Sequence, residues 1–381
     1  MSIPPAVKTA RRAINLIFLV CGIGISSWVP MVPFAKTRLM LNEADLGLIL
    51  LFLGAGAIIA MPLAGFLIQK YGSKIVILVA GIMIALFLPL LLFSKTVIAL
   101  GFCLFVFGAA IGTIDVAMNA QAVIIQDKYG QHIMSSFHGL FSVGGLLGSF
   151  GIGFLMDMGL DPVNAAIAIS IAILLITLSQ FRLLLPHSAS PESNVSSFAL
   201  PKGPLIILGL LCFISFLAEG AMLDWSAVFL KFERGFADSR TGLGFAAFSV
   251  AMSVMRLTGD KIIHKIGQNN VVLYGSIVAS AGFFVAVAVP HGWVTLTGFV
   301  LVGIGAANIV PILFSRAGSF PGIPAGSGLP AVTTLGYAGQ LAGPAMIGFI
   351  AHWSSLPTAF VFISLLLLVV AFGFKQEKVD H

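Results

Sequence analysis

The residues of this sequence whose types and spacing suit chemistry are a few polar groups set in long apolar stretches. Asp115 is followed four residues later by Asn119, and the nearest other charges are Lys95 and Asp127. On a helix that spacing puts both side chains on one face, with Gly108 and Gly112 on about the same side, where small residues let helices approach closely. A carboxylate inside an apolar span costs several kcal/mol unless it faces protein or water. Such a group suits the binding and release of a proton as its hydration changes. It also suits a plain hydrogen bond to a neighbouring helix, and the residues leave both readings open. Glu219 and Asp224 make a second acidic pair. Five residues put them about 140° apart around a helix, in different environments. Glu219, the deeper, is a candidate for proton coupling or for hydrogen bonding a solute. Asp224, beside Trp225, suits an external gate, an ion pair with an adjacent helix, or a side chain reaching water at the interface.

His138 and Ser142 form another pair four apart, and histidine titrates nearest neutrality. A proton relay from His138 to Asp115 is one reading. A neutral imidazole bonded to a backbone carbonyl is the other. Asn308, Tyr337 and Gln340, with Trp28, supply what a polar solute such as a sugar needs, amides for hydroxyls and a flat aromatic face for ring C–H groups. Polar residues also join helices, so this signal is shared with structure. No second His or Cys stands at ligand spacing, which argues against a metal. No nucleotide loop, nucleophile elbow or metalloprotease helix is present, and no cofactor motif, so the sequence does not read as an enzyme.

The elements that position these residues follow from composition. Of 381 residues, 59% are hydrophobic and 9% charged, far below the roughly 25% charge of a soluble domain. Bilayer is therefore the solvent, and apolar runs of bilayer length predict twelve helices. They fall at 13–35, 45–68, 75–93, 97–124, 133–156 and 163–184, then at 204–230, 241–259, 269–289, 292–314, 327–351 and 356–374. Residues 186–203, rich in Ser and Pro, read as a linker between halves at 1–185 and 204–381. Cys21, Cys103 and Cys212 all lie in apolar runs, as small core residues. The apolar stretch after Lys8, Arg11 and Arg12 has no small-residue cleavage site and reads as the first span.

With the N-terminus inside, thirteen Lys and Arg fall on the cytoplasmic side and six on the other, with Arg256 inside a span. Both termini and the linker are thus expected in the cytoplasm, and the simplest location is a bacterial inner membrane. The net charge of +6 is spread over short loops, with no basic stripe for nucleic acid. Pro311, Pro330 and Pro344 mark spans 10 and 11 as bendable.

The loop after span 2 carries Gly65, Gln69, Lys70, Gly72, Ser73 and Lys74. It resembles the G-x-x-x-D-R-x-G-R-R/K signature of the major facilitator superfamily. The loop after span 8, from Arg256 through Asp260, His264 and Lys265 to Gly267, resembles it again, as an internal duplication predicts. In such loops Gly72 or Gly267 makes a short turn, while Lys70, Lys74 and Lys265 cap helix ends or pair with a neighbour. Gln69 and His264 stand where the signature is acidic, so Arg256 and Asp260, four apart, are the pair available to latch the second loop.

Span 4, from Gly108 through Asp115 and Asn119 to Gln121, resembles the acidic-x-x-x-Asn segment of the fucose-permease-like sugar/proton symporters. With His138 and Ser142 in span 5, Glu219 and Asp224 in span 7, Asn308 in span 10, and Tyr337 and Gln340 in span 11, the chain is similar to a bacterial branch of that group without assigned substrate. Where those symporters carry an aspartate in span 1, this chain offers Asn15, Ser26, Ser27 and Trp28.

The resemblance implies an all-α membrane protein of two pseudo-symmetric six-helix bundles, the major facilitator fold, with Asp115 taking the coupling proton. The function expected is secondary transport of a small polar solute by alternating access with proton symport. Its partners are the solute, protons and lipid, with no nucleic acid, and nothing requires more than a monomer. Proton-driven efflux of amphipathic compounds, served by 32 Phe and 13 Met, is the alternative.

Overall fold

The computed structural model describes residues 4–130, 133–186, 203, 205–318, 320 and 325–374, apart from the side chains at 135, 260, 325–327 and 329–331. Every regular element among them is helical. Two compact units emerge: Met1–Val195 with Ala237–Ala246, and Ser196–Phe236 with Ala247–His381. Most of the expected linker at 186–203 lies outside the described residues.

In the first unit, α1 (Pro5–Trp28) continues through a 3₁₀ turn at Val29–Met31 into α2 (Val32–Arg38), followed by α3 (Glu43–Tyr71), α4 (Ser73–Phe93), α5 (Val97–Tyr129), α6 (Met134–Asp157) and α7 (Pro162–Phe181). The second contains α8 (Leu205–Val228), extended by a π turn to Glu233, then most of α9 (Leu243–Ile266), α10 (Gln268–Ala288), α11 (Gly292–Ala306), α12 (Ile309–Gly318), α13 (Ala325–Trp353) and α14 (Leu356–Gly373). Among the described residues eleven segments are long and apolar enough to cross a membrane. Helix α13 is the twelfth long one, at 29 residues, its apolar character diluted by Thr333, Thr334, Tyr337 and Gln340. The first span starts earlier than its apolar run, at Pro5, and Arg11 lies 5.0 Å over the ring of Tyr129.

Helix starts are fixed by side-chain caps. Asn42 accepts from the Asp45 amide at 2.8 Å, Thr96 from Ala99 at 3.2 Å, and Ser355 from Thr358 at 3.3 Å. Each satisfies an amide the helix itself cannot. Asp161 caps α7 twice, accepting from the amides of Val163 at 3.0 Å and Asn164 at 3.1 Å. Those bonds, the Asn164 amide foremost, hold the exposed Asp161 carboxyl below its ordinary pKa.

The two units share a repeated frame. Gly72 and Gly267 both adopt positive φ, 83° and 81°, which only glycine takes up without strain. Each donates its amide to the carbonyl four residues back, Ile68 or Ile263, at 2.8 Å, and opens the next helix. Gly108 of α5 sits on the Leu53 carbonyl of α3, and Gly303 of α11 sits on the Phe248 carbonyl of α9, with no room for a Cβ at either. The second glycine of each pair follows the first by the same interval.

Two arginines repeat as well. Arg38, at the end of α2, donates to the carbonyls of Leu91 and Leu92, the latter contact very short, while Arg234 donates to Ala286 at 2.7 Å and Val287 at 3.1 Å. Each thereby satisfies carbonyls near the end of α4 or α10 that the helix leaves bare.

Candidate functional site

In the first unit Asp115 is part-buried on α5. Asn119 reaches back from the next turn, its Nδ2 donating to the Asp115 carbonyl at 2.9 Å and to its Oδ1 at 3.2 Å. Those are the only hydrogen bonds to Asp115 from another side chain among the described residues, so the carboxylate is steadied by its own helix. Cys21 of α1 lies within electrostatic reach of it. His138 is exposed and stands edge-on to Phe18, ring centroids 5.3 Å apart, while Ser142 donates to the His138 carbonyl at 3.1 Å. His138 and Asp115 both lie beside α1.

Trp28 is 1% exposed, and its indole N–H has no hydrogen-bond partner among the described residues. Little in the sequence singles out Gln121, which is wholly buried. It donates to the Ser73 hydroxyl at 2.9 Å and accepts from the Leu185 amide at 3.3 Å, tying α5 to the start of α4 and the segment after α7.

The second unit holds a denser arrangement. Pro311 has no amide hydrogen, so the carbonyl four residues earlier, that of Ala307, loses its helical partner. The span breaks there into α11 and α12, at Ala307 and Asn308. Arg256 of α9 fills the gap, its Nε donating to the Ala307 carbonyl at 3.1 Å. A cation on the last carbonyl of a helix also suits the negative end of the helix dipole. The Nη2 of the same guanidinium meets both carboxylate oxygens of Glu219 on α8, at 3.3 and 3.4 Å. Asn308 locks the junction from the other side, donating to the Met255 carbonyl at 3.2 Å, while its Oδ1 rests on Gly259 where no Cβ fits.

Arg256 therefore pairs with Glu219. The expected partner Asp260 lies on the same helix, with its side chain outside the described residues. Sequence spacing assigned Glu219 to coupling and Arg256 to gating, and the fold joins them in one ion pair. Phe216 lies one turn before Glu219 on α8 and stacks on Tyr337 of α13, centroids 5.3 Å apart and planes at 29°, with Phe314 at 6.0 Å. Gln340 of α13 is exposed and abuts Gly220, where a Cβ would stand 3.8 Å from its Cγ. Asp224, two turns on from Phe216, is only 7% exposed, and no hydrogen bond to its side chain is found among the described residues.

At the turns, Lys70 lies 5.1 Å over the Tyr71 ring beside Gly72. Lys74 donates to the Arg182 carbonyl at 3.4 Å and covers the Phe181 ring at 4.7 Å, so it caps α7. Lys265 is exposed one residue before the end of α9.

A sequence description of the Major Facilitator Superfamily matches residues 14–329, most of the chain. The chain belongs to that superfamily. Among its relatives is an uncharacterized MFS-type transporter of Yersinia pestis, 48% identical over 94% of this chain and 93% of the relative. The membrane protein MosC of Rhizobium meliloti is 31% identical over 96% of this chain and 90% of its own. Among solved structures the fold is similar to that of a mutant of the nucleoside transporter NupG, with a TM-score of 0.77, 17% identity, and coverage of 96% of this chain and all of that one. The protein is thus a multi-pass membrane transporter of the major facilitator fold. The polar groups of the interior differ between its halves: an Asp–Asn pair in one, an Arg–Glu pair at a broken helix in the other.

Proposed function

We propose that the protein is a secondary active transporter that carries a small polar solute, a sugar or related metabolite, across the bacterial inner membrane by alternating access with proton symport. The observation that carries the reading is the Glu219–Arg256 pair at the α11–α12 break. Charges within a span are retained where they border water and handle ions or solutes, and broken helices recur at transporter binding sites. A carboxylate whose cation is drawn away is costly there, and taking up a proton relieves the cost.

Asp115, Glu219 and His138 are the groups for the proton. Asn119, Ser142, Asn308, Tyr337, Gln340 and Trp28 are those for the solute. Lys70, Gly72, Lys74, Asp224, Arg256, Asp260 and Lys265 control opening. Both termini face the cytoplasm, and the monomer is the working unit.

Purified protein in liposomes, given an inward proton gradient and a solute panel, tests this. Gradient-driven uptake should be lost in Asp115→Asn or Glu219→Gln, while exchange of solute at equal pH persists. Uptake that ignores the gradient, or that both variants leave unchanged, overturns the coupling.

A further inference from the structure

Resting on that transporter reading, we infer that the solute carries a single negative charge, a carboxylate on a body with a flat apolar face, and that Arg256 receives it. A guanidinium has five N–H donors. In Arg256 the Nε is committed to the Ala307 carbonyl, and only Nη2 meets Glu219, at 3.3 and 3.4 Å. No hydrogen bond from Nη1 is found among the described residues. An arginine–carboxylate pair is frequently a two-pronged fork, with two short parallel bonds. Here one nitrogen serves both oxygens at long range, and the Nη1–Nη2 edge is open.

That open edge is held against Glu219, which lies 14 residues from the start of α8 at Leu205, about 21 Å at 1.5 Å per residue and well within the span. Yet the Arg256 side chain is 44% accessible, against 17% for Glu219. A cation exposed at that depth borders a wet space, and the edge it offers matches a carboxylate in shape and charge. The body of the solute meets the neighbouring wall, where Phe216 stacks on Tyr337 with Phe314 beside them, and Tyr337 is 36% exposed. Charge sets the valence. Arg256 and Glu219 sum to zero, so a monoanion leaves one uncompensated charge, which a proton on Glu219 cancels, whereas a dianionic phosphate leaves two.

The test uses the full-length protein in detergent and five probes: benzoate, benzamide and phenyl phosphate, with glucuronate and glucose as a second acid–neutral pair. Binding is read from the ligand dependence of the unfolding temperature. In at least one pair the acid should bind about tenfold or more tighter than its neutral counterpart, the range of a charged hydrogen bond. Phenyl phosphate should bind more weakly than benzoate.

Two variants of opposite expected sign guard against misfolding. Arg256→Lys keeps the charge but loses the fork and should weaken the acid about tenfold. Glu219→Gln removes the competitor for the guanidinium and should tighten it several-fold. The inference is overturned if neutral members bind as well as acids, if none of the five binds, or if Arg256→Lys leaves acid binding unchanged. Proton-driven uptake of a neutral solute in those cases would leave the transporter reading standing, whereas no movement of any solute class would remove both.

Discussion

Truncating Arg234 to alanine isolates the contribution of the repeated arginines to the scaffold. The side chain donates from Nη2 to the carbonyls of Ala286 and Val287 and from Nε to the Thr295 hydroxyl at 2.8 Å, and it lies 4.6 Å over the ring of Phe229. Burial pulls its pKa below the ordinary value, and the nearby Glu233 charge pulls it back up; a guanidinium stays charged in proteins.

A charge-assisted hydrogen bond contributes about 1.5–3 kcal/mol, but bonds from one side chain do not add, and water at the rim takes over part of each carbonyl. The cation–π contact adds about 0.5–1 kcal/mol. The expected loss for Arg234→Ala is therefore about 2–4 kcal/mol, with Arg234→Lys in between because the charge survives without the fork. Arg38 makes the matching contacts to α4 while exposed, so Arg38→Ala should cost about 1 kcal/mol or less. Reversible unfolding in mixed micelles, titrated with SDS, measures both. Equal losses for the two arginines, or a loss below about 1 kcal/mol at Arg234, would refute the account of half-buried carbonyl caps.

Three further outcomes are expected. Gly108→Ala and Gly303→Ala should each destabilise by about 1–3 kcal/mol, because the new Cβ meets the Leu53 or Phe248 carbonyl, while Gly139→Ala, with open space around it, should be neutral in the same titration. Gly259→Ala should push the Asn308 amide off Met255 and reduce solute uptake with little loss of folded protein, read as liposome uptake per folded molecule. The capping carboxylate Asp161 has a depressed folded pKa, so the stability it lends α7 is full above its unfolded pKa of about 3.9 and is lost as pH falls through the lower folded value. Amide exchange at the start of α7 should accelerate in that acid window in the parent protein and show no such step in Asp161→Asn.

Much of the frame was legible because its signals are local. Apolar length set the spans, and Gly72 and Gly267 stood where their turns require positive φ. Proline foretold a bend in span 10, and the break lies four residues before Pro311, at the carbonyl its missing amide would have bonded. What sequence could not provide is partnership across helices. Glu219 and Arg256 are 37 residues apart, and no periodicity within α8 or α9 says that they face each other. Spacing alone favoured Asp260, four residues from Arg256 on its own helix.

The arginine contacts at Arg38 and Arg234 carried a faint signal, a repeat spacing close to that of the turn glycines, which shows only once the glycines have set the register. Burial at Trp28 and Asp224 was not legible either, since an aromatic ring or an acid near a span end can face solute, water or packed protein, and both are buried.

The junction at Ala307 has a kinetic corollary. In an ordinary helix, freeing a carbonyl means unwinding a turn and breaking several bonds together. Here the acceptor is held by one side-chain nitrogen, so it is released by a single rotamer change of Arg256, an event of the picosecond-to-nanosecond class for side chains. The segment beyond the junction can therefore swivel without melting, and its motion is limited by the packing around Asn308 and Gly259, not by the backbone.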